Sequence, residues 1–232
     1  MKYLKQDAIC IIPARSGSQR IKNKNTVNFF GSPIISYAIK AAINSNMFDK
    51  VIVSTDSKKI ADISKKNKSI VNDLRNKKYS NNFATIKDVL RYEIKKNNLL
   101  TYKYLCCIYP CSGPLLSTKI IKKSFNTFLK NKADEFLIAT KYEHPPERAL
   151  KKIGQKLLRP VNKSYINTRT QDCSLLLRDS GSLYIFKIKN LIKNNKNNKT
   201  TYLEVPSNTF IDVDYPEDLK ILKFLFKEKL KN

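Results

Sequence analysis

The sequence predicts a three-layer α/β sandwich built on a mostly parallel central sheet, and two observations predict it. Short apolar runs of strand length alternate with amphipathic stretches of helical period from Ile9 to about Thr140. The turns after Ile12, Ser54 and Tyr109 are polar, and in an open sheet of this kind ligands bind beyond the carboxyl ends of the strands. A chain of 232 residues is long enough for one substantial domain with a real core, here taken as residues 1–232.

The elements follow in order. Ile9 to Ile12 reads as a buried strand, and Pro33 to Asn46 as a helix with Pro33 in its first turn and Ile35, Ala38, Ile39, Ala42 and Ile43 on one face. Val51 to Ser54 is a second strand and Asp56 to Lys66 a second helix. Phe83 to Lys96 is a third helix, with Ile86, Val89, Leu90 and Ile94 in register. A strand over Tyr104–Tyr109 ends at the turn Pro110-Cys111-Ser112-Gly113-Pro114. Thr118 to Lys130 is helical, and Glu135 to Thr140 returns as a strand. Over 142–180 the alternation breaks: His144-Pro145-Pro146 and Arg159-Pro160 interrupt regular structure. This stretch holds Arg148, Arg159, Arg169 and Arg178 in a chain where Lys dominates, and it reads as an inserted dimerisation or substrate arm. Gly181 to Phe186 resumes as a strand, and Tyr215 to Leu230 closes the chain as an amphipathic helix.

Composition narrows the function. Lys and Arg number 45 against 19 Asp and Glu, a formal net charge of +26. Such a charge fits an anionic partner, but Lys and Asn are spread throughout, as in 193–199, and no nucleic-acid-binding motif accompanies them. A small anionic substrate is expected, with neither nucleic acid nor membrane as partner. The cysteines Cys10, Cys106, Cys107, Cys111 and Cys173 form neither C-x-x-C nor a zinc spacing, which suits a reducing cytoplasm. Met1 to Asp7 has no apolar leader core, and no run approaches a membrane span, so a cytoplasmic, soluble protein is expected.

Two segments carry candidate chemistry. After the first strand, Pro13-Ala14-Arg15-Ser16-Gly17-Ser18-Gln19-Arg20-Ile21-Lys22-Asn23-Lys24-Asn25 joins small residues, whose backbone N–H groups can converge, to the charges of Arg15, Arg20, Lys22 and Lys24. That is a polyphosphate cradle, though neither a P-loop nor a G-x-G-x-x-G. Near the end, Asp212-Val213-Asp214-Tyr215-Pro216-Glu217-Asp218 gathers carboxylates. In a strand Asp212 and Asp214 would share a face and hold Mg²⁺ together with phosphate. The plainer alternative is a capping box, Asp214 with Glu217 and Pro216 in the first turn, which leaves Asp212 without a role. Asp56 reads first as a helix N-cap. His144 has no triad partner at a telling spacing, and Cys111 reads as turn packing rather than a nucleophile.

These residues resemble a known family. Ile12 to Arg20 with Lys24-Asn25, then Phe48 to Asp56, then Asp212-Val213-Asp214 are similar in order and spacing to the cytidylyltransferases that activate nonulosonic acids, from residue 8 to about 225. Within that family, Cys106 to Pro110, Pro145 to Lys151 and Tyr165 to Asp172 are most similar to the members acting on pseudaminic acid, and Tyr109 stands where sialic acid enzymes more usually carry Gln. There are departures: Gln19 replaces a common Lys, Arg75-Asn76 an Arg-Pro, and Asn81-Asn82 acidic residues. Cys111 to Pro114 is one residue longer than the usual turn.

The resemblance implies a Rossmann-like nucleotidyltransferase that uses Mg²⁺ to transfer CMP from CTP to a nine-carbon sugar acid, pseudaminic acid first. It implies nucleotide binding by Ala14, Arg15, Ser16, Gly17, Ser18, Lys24, Asn25 and Arg75, and catalysis by Arg15, Lys24, Asp212 and Asp214, the last two also holding the metal. Acceptor contacts would come from Asn25, Tyr109, Arg148, Arg169 and Gln171, with Arg169 and Arg148 pairing with the sugar carboxylate, in a homodimer whose arm completes the neighbouring site. The rival readings are a cytidylyltransferase for sialic, legionaminic or a related acid, and a non-catalytic basic nucleic-acid-binding protein.

Overall fold

The computed structural model describes residues 7–195 and 197–231. Residues 1–6, which carry most of the leader reading, and Lys196 of the basic run lie outside them. Strand β1 (Ala8–Pro13) sits inside the main sheet, and Ala8 to Ile12 are buried. Ala8, Cys10 and Ile12 join the core on one face, and Ile9 and Ile11 join the core on the other. Burial on both faces explains why this run is apolar without alternation.

A short hairpin of β2 (Asn28–Phe29) and β3 (Ser32–Pro33) precedes helix α1 (Ile34–Asn44). Pro33 is therefore the N-cap position of α1 rather than part of its first turn. Strand β4 (Lys50–Ser54) leads to α2 (Lys58–Lys66), which Ser57 caps by accepting the Ile60 N–H. Helix α3 (Ile86–Lys96) begins three residues later than the sequence predicts, because Thr85 and Asp88 form a capping box there.

Strand β5 (Tyr104–Ile108), helix α4 (Thr118–Lys130) and strand β6 (Glu135–Lys141) follow as predicted to within a residue. Then β7 (Leu150–Ile153) and β8 (Leu157–Pro160) pair as a separate hairpin. Strand β9 (Leu177–Lys187) starts four residues before the predicted Gly181 and runs into α5 (Ile188–Lys193). Strand β10 (Thr200–Glu204) and helix α6 (Pro216–Lys231) complete the fold.

The main sheet has the order β10-β6-β9-β5-β1-β4. Only β9 runs against its neighbours, antiparallel to both β5 and β6, so the mostly parallel sheet holds. Helices α1, α2, α4 and α6 pack on one face, and α3 and α5 on the other, which gives the three layers. No helix among the described residues is long and apolar enough to cross a membrane.

The turn after β5 is set by one close approach. A Cβ on Gly113 would lie 2.2 Å from the backbone N of Ala38 and 2.6 Å from its Cα, both inside α1. Neither atom can move aside without shifting the helix. Gly113→Ala should therefore cost about 3 kcal/mol, the upper end for overpacking. Urea denaturation checks this, with a lower midpoint at unchanged slope as the expected result.

Candidate active site

The loop after β1 is held at both ends by neutral and singly charged anchors. The Ala14 N–H donates to the Ser54 carbonyl at 2.8 Å, tying the loop to the end of β4. Asp56 accepts twice from Ser16, Oδ1 from the backbone N–H at 2.7 Å and Oδ2 from the hydroxyl at 2.8 Å. The expected capping role for Asp56 is thus overturned: Ser57 caps α2, and the Asp56 carboxylate fastens the loop instead. At the other end the side chain of Asn25, 6% exposed, donates to the Arg15 carbonyl at 2.9 Å. With these anchors in place Arg15, Ser18, Gln19, Arg20 and Lys24 line one wall of a cavity of ≈ 390 Å³.

The facing wall is acidic. Residues 211–214 belong to no strand, so the strand in which Asp212 and Asp214 would share a face is not formed. Asp212 instead sits against Gly181, whose φ is +64° and whose Cβ, if present, would come 3.1 Å from Asp212 Oδ2. Asp214 faces the loop: its Oδ2 is 2.8 Å from Arg20 Nη2 and its Oδ1 3.5 Å from Lys24 Nζ. Lys24 Nζ also donates to the Val213 carbonyl.

The capping box of Asp214 and Glu217 is not formed. Asp218 Oδ2 accepts from the N–H groups of Asp214 and Tyr215 at 2.8 and 2.7 Å, which releases the Asp214 carboxylate to the cavity. Burial, and next the charge of Asp214, push the Asp212 carboxyl above its usual range. Among the described residues no three or more His, Cys, Asp or Glu gather as a metal-ligand set, so a cation at this pair would draw further ligands from a bound phosphate.

A third group closes the far end of the cavity. Arg75 is 5% exposed; its Nη1 donates to Ser54 Oγ at 3.3 Å and its Nε to Ser80 Oγ at 3.2 Å. The Ser54 hydroxyl in turn donates to Glu93 Oε1 at 2.7 Å. Burial lowers the Arg75 pKa, the carboxylates of Asp56 and Glu93 acting against it. Arg15 Nη1 donates to Asn82 Oδ1 at 2.6 Å and to the Asn81 carbonyl at 3.1 Å. An amide there, where a carboxylate is common in the family resembled, leaves the guanidinium charge available to an anion.

Tyr79, Ala84, Ile86 and Val89 give this end an apolar lining. Tyr109 and Cys111 line the floor. Burial raises the Tyr109 hydroxyl and pushes the Cys111 thiol to about 12, so Cys111 is a neutral packing group.

Of the residues singled out in the sequence, the cavity gathers Arg15, Ser18, Lys24, Asn25, Arg75, Tyr109, Asp212 and Asp214. Ala14 is buried behind it, and Ser16 and Gly17 lie on the exposed outside of the loop. Arg148 donates to Thr170 Oγ1 at 3.0 Å and Arg169 pairs with Asp172 at 2.8 Å. With Gln171 they stand on the exposed arm, apart from the cavity of their own chain. Tyr79 and Gly181 line the cavity without having had a part assigned to them, and Arg20, one of the loop cations read from the sequence, lies there too. Gly181 alone carried a signal, as a glycine at the start of a predicted strand.

A mostly parallel sheet that presents a cation-lined loop and a facing carboxylate pair at the carboxyl edge of its strands defines a nucleotidyltransferase-type site. The chain belongs to the cytidylyltransferase family, whose profile it matches over residues 9–229. It is 31% identical over 224 residues to the pseudaminic acid cytidylyltransferase of Campylobacter jejuni, covering 94% of this chain and 96% of that protein. A shorter stretch of 55 residues is 47% identical to the CMP-N,N'-diacetyllegionaminic acid synthase of Legionella pneumophila, 24% of each chain. A solved CMP:2-keto-3-deoxy-manno-octonic acid synthetase, complexed with CTP, superposes with a TM-score of 0.69 at 15% identity. It covers 96% of this chain and 99% of that one, and shows a shared fold.

The raised Asp212 carboxyl has a consequence for stability. The folded chain binds this proton more tightly than the unfolded chain. The resulting stability is fully present below the unfolded carboxyl value and is lost as pH rises through the raised one. Asp212→Asn stays neutral throughout. Its Tm relative to wild type should therefore climb between about pH 4 and about pH 7, as thermal melts at both pH values would read. A relative Tm that falls over that range would contradict a carboxyl raised in the folded chain.

Proposed function

We propose that this cytidylyltransferase moves CMP from CTP to the anomeric hydroxyl of a nine-carbon sugar acid, with pseudaminic acid as the acceptor, and releases pyrophosphate. One observation carries the reading: a single cavity whose loop wall is cationic and whose opposite wall is the Asp212–Asp214 pair. The acceptor is supported by similarity along nearly the whole chain to a protein named for pseudaminic acid. The match to the legionaminic acid enzyme spans a quarter of the chain.

The residues divide the work by chemistry. The apolar end at Tyr79, Ala84, Ile86 and Val89 suits a nucleobase, beside Arg75 and the Asn81 and Asn82 amides. Arg15, Ser18 and Lys24 run from there along the loop wall, where they would neutralise the triphosphate and the charge that grows on departing pyrophosphate. Lys24, only 25% exposed, is held at the boundary between the loop and the carboxylates. Its ammonium can exchange Asp214 for a phosphate oxygen with little motion. Asn25 fixes the loop backbone through Arg15, and the half-buried Tyr109 offers a hydroxyl that stays protonated for the sugar.

The donor set fits Mg²⁺. Desolvation, and next the charge of Asp214, already raise the Asp212 carboxyl, and a small dication between the two hard carboxylates would offset both. When bound, Mg²⁺ would polarise the α-phosphate and offset its charge. Asp212 and Asp214 would hold it, with Gly181 leaving room for the Asp212 carboxylate and Asp218 fixing the backbone of Asp214.

The arm reads as the contact between two copies. Leu150, Leu157, Leu158, Val161, Ile166 and Leu175 are all more than half exposed there, a concentration of apolar surface that supports an interface. In such a homodimer Arg148, Arg169 and Gln171 would meet the acceptor in the neighbouring cavity. The free, buried thiols of Cys10, Cys106, Cys107 and Cys111 support a reducing, cytoplasmic setting.

Pyrophosphate release from CTP should occur with a nonulosonic acid from a panel including pseudaminic, legionaminic and N-acetylneuraminic acids, fastest with pseudaminic acid. Asp212→Ala and Asp214→Ala should each lower the rate by roughly 10³-fold or more. Full Mg²⁺-dependent activity in both variants would remove the metal assignment. Sedimentation should give a dimer, and Leu157→Glu with Leu158→Glu should shift it to monomer.

A further inference from the structure

Arg20 is the cavity cation without a part in the nucleotide reading. Its guanidinium pairs with Asp214 at 2.8 Å, and its Cζ stands 4.9 Å from the centroid of the Tyr215 ring. The other arginines near the cavity are engaged elsewhere. Arg75 is buried on Ser54 and Ser80, and Arg15 is turned to Asn81 and Asn82. Arg148 and Arg169 bond within the arm.

The chemistry of the acceptor adds a geometric constraint. A nonulosonic acid carries its carboxylate on the same carbon as the anomeric hydroxyl. A hydroxyl that attacks phosphorus beside Asp212 and Asp214 therefore brings that carboxylate to within a few ångströms of Asp214, where Arg20 already holds one carboxylate.

We propose that Arg20 takes the carboxylate of the acceptor acid, an inference that rests on the acceptor reading above. The planar guanidinium fork matches a carboxylate in two parallel hydrogen bonds. Tyr215 holds the fork's plane, and Asp214 occupies it in the absence of substrate. The pair is half exposed, 50% at Arg20 and 38% at Asp214, so it is weak enough to exchange. A nucleotide and cation that engaged Asp214 would free the fork for the acid.

The test uses the full chain, with Arg20→Ala and Arg20→Lys, CTP, Mg²⁺ and pseudaminic acid. Arg20→Ala should raise the KM for the acid roughly 10- to 100-fold, the range for a lost charge-assisted bond, with Arg20→Lys partly restoring it. Calorimetric titration should show CTP affinity changed by less than about threefold. The carboxamide analogue of the acid should react equally poorly with wild type and Arg20→Ala. Thermal melting of each variant establishes that it is folded, and Arg20→Gln serves if Arg20→Ala is not.

A weakened CTP affinity with an unchanged acid KM would overturn the inference and make Arg20 a triphosphate cation in place of Gln19. Equal losses on acid and carboxamide would overturn it as well. So would a carboxylate-dependent loss in Arg169→Ala that Arg20→Ala lacks. Wild type that releases no pyrophosphate with any of the sugar acids refutes the acceptor reading itself; wild-type turnover with an unaltered Arg20→Ala refutes only the role of Arg20.

Discussion

The site depends on the contact between the loop after β1 and the acidic segment before α6. Arg15, Arg20 and Lys24 are crowded into a few residues of a chain with a formal net charge of +26, so the loop gains nothing from its own electrostatics. The ion pairs of Arg20 and Lys24 with Asp214 have side chains 25–50% exposed, so solvent screens them and they do little to fix the loop. What fixes the loop is instead its hydrogen-bonded framework: Ala14 on Ser54, Ser16 on the Asp56 carboxylate and the nearly buried Asn25 on Arg15. The result is a loop with stiff anchors and exchangeable charges. A substrate of many negative charges can displace Asp214 from both cations without disturbing the backbone that presents them.

The sheet supplies the position. Strands β1, β4 and β5 are parallel and end side by side, so the loop, the Arg75 segment and the turn at Pro110 all open on one edge. Strand β9 enters in the opposite sense, which brings Gly181 to that same edge rather than to the far one. A side chain at Gly181 would meet Asp212 as well as strain the backbone. One antiparallel strand in a parallel sheet is thus what lets the carboxylate wall close against the cationic wall.

Much of this was legible in the sequence because it is written in local patterns. The apolar run of β1 is uninterrupted since both of its faces are buried, and α4 was bounded to the residue because Ser117 caps it. Other features depend on partners far along the chain. Asp56 stands between a strand and a helix, where capping is the ordinary expectation; its actual partner is Ser16, forty residues earlier. Asp214 and Glu217 have capping spacing, yet Asp218 takes the role by folding back on two N–H groups. Strand β10 escaped notice because Thr200–Glu204 alternates exposed and buried positions in a Lys- and Asn-rich surround, with Thr201 and Leu203 its only inward residues. Arg20 was legible as a cation of the loop, but no local pattern reveals that Asp214 and Tyr215 lie opposite it.

The central claim is that a divalent cation and the nucleotide complete each other across the two walls. Electron paramagnetic resonance of Mn²⁺ titrated with the protein tests it directly, first alone and then with saturating CTP. A carboxylate pair whose Asp214 is already held by Arg20 and Lys24 should bind Mn²⁺ weakly by itself, and CTP should tighten that binding at least tenfold, the effect vanishing in Asp214→Asn. Mn²⁺ bound equally well with and without CTP, or tightened by CTP to the same extent in Asp214→Asn, would contradict the account.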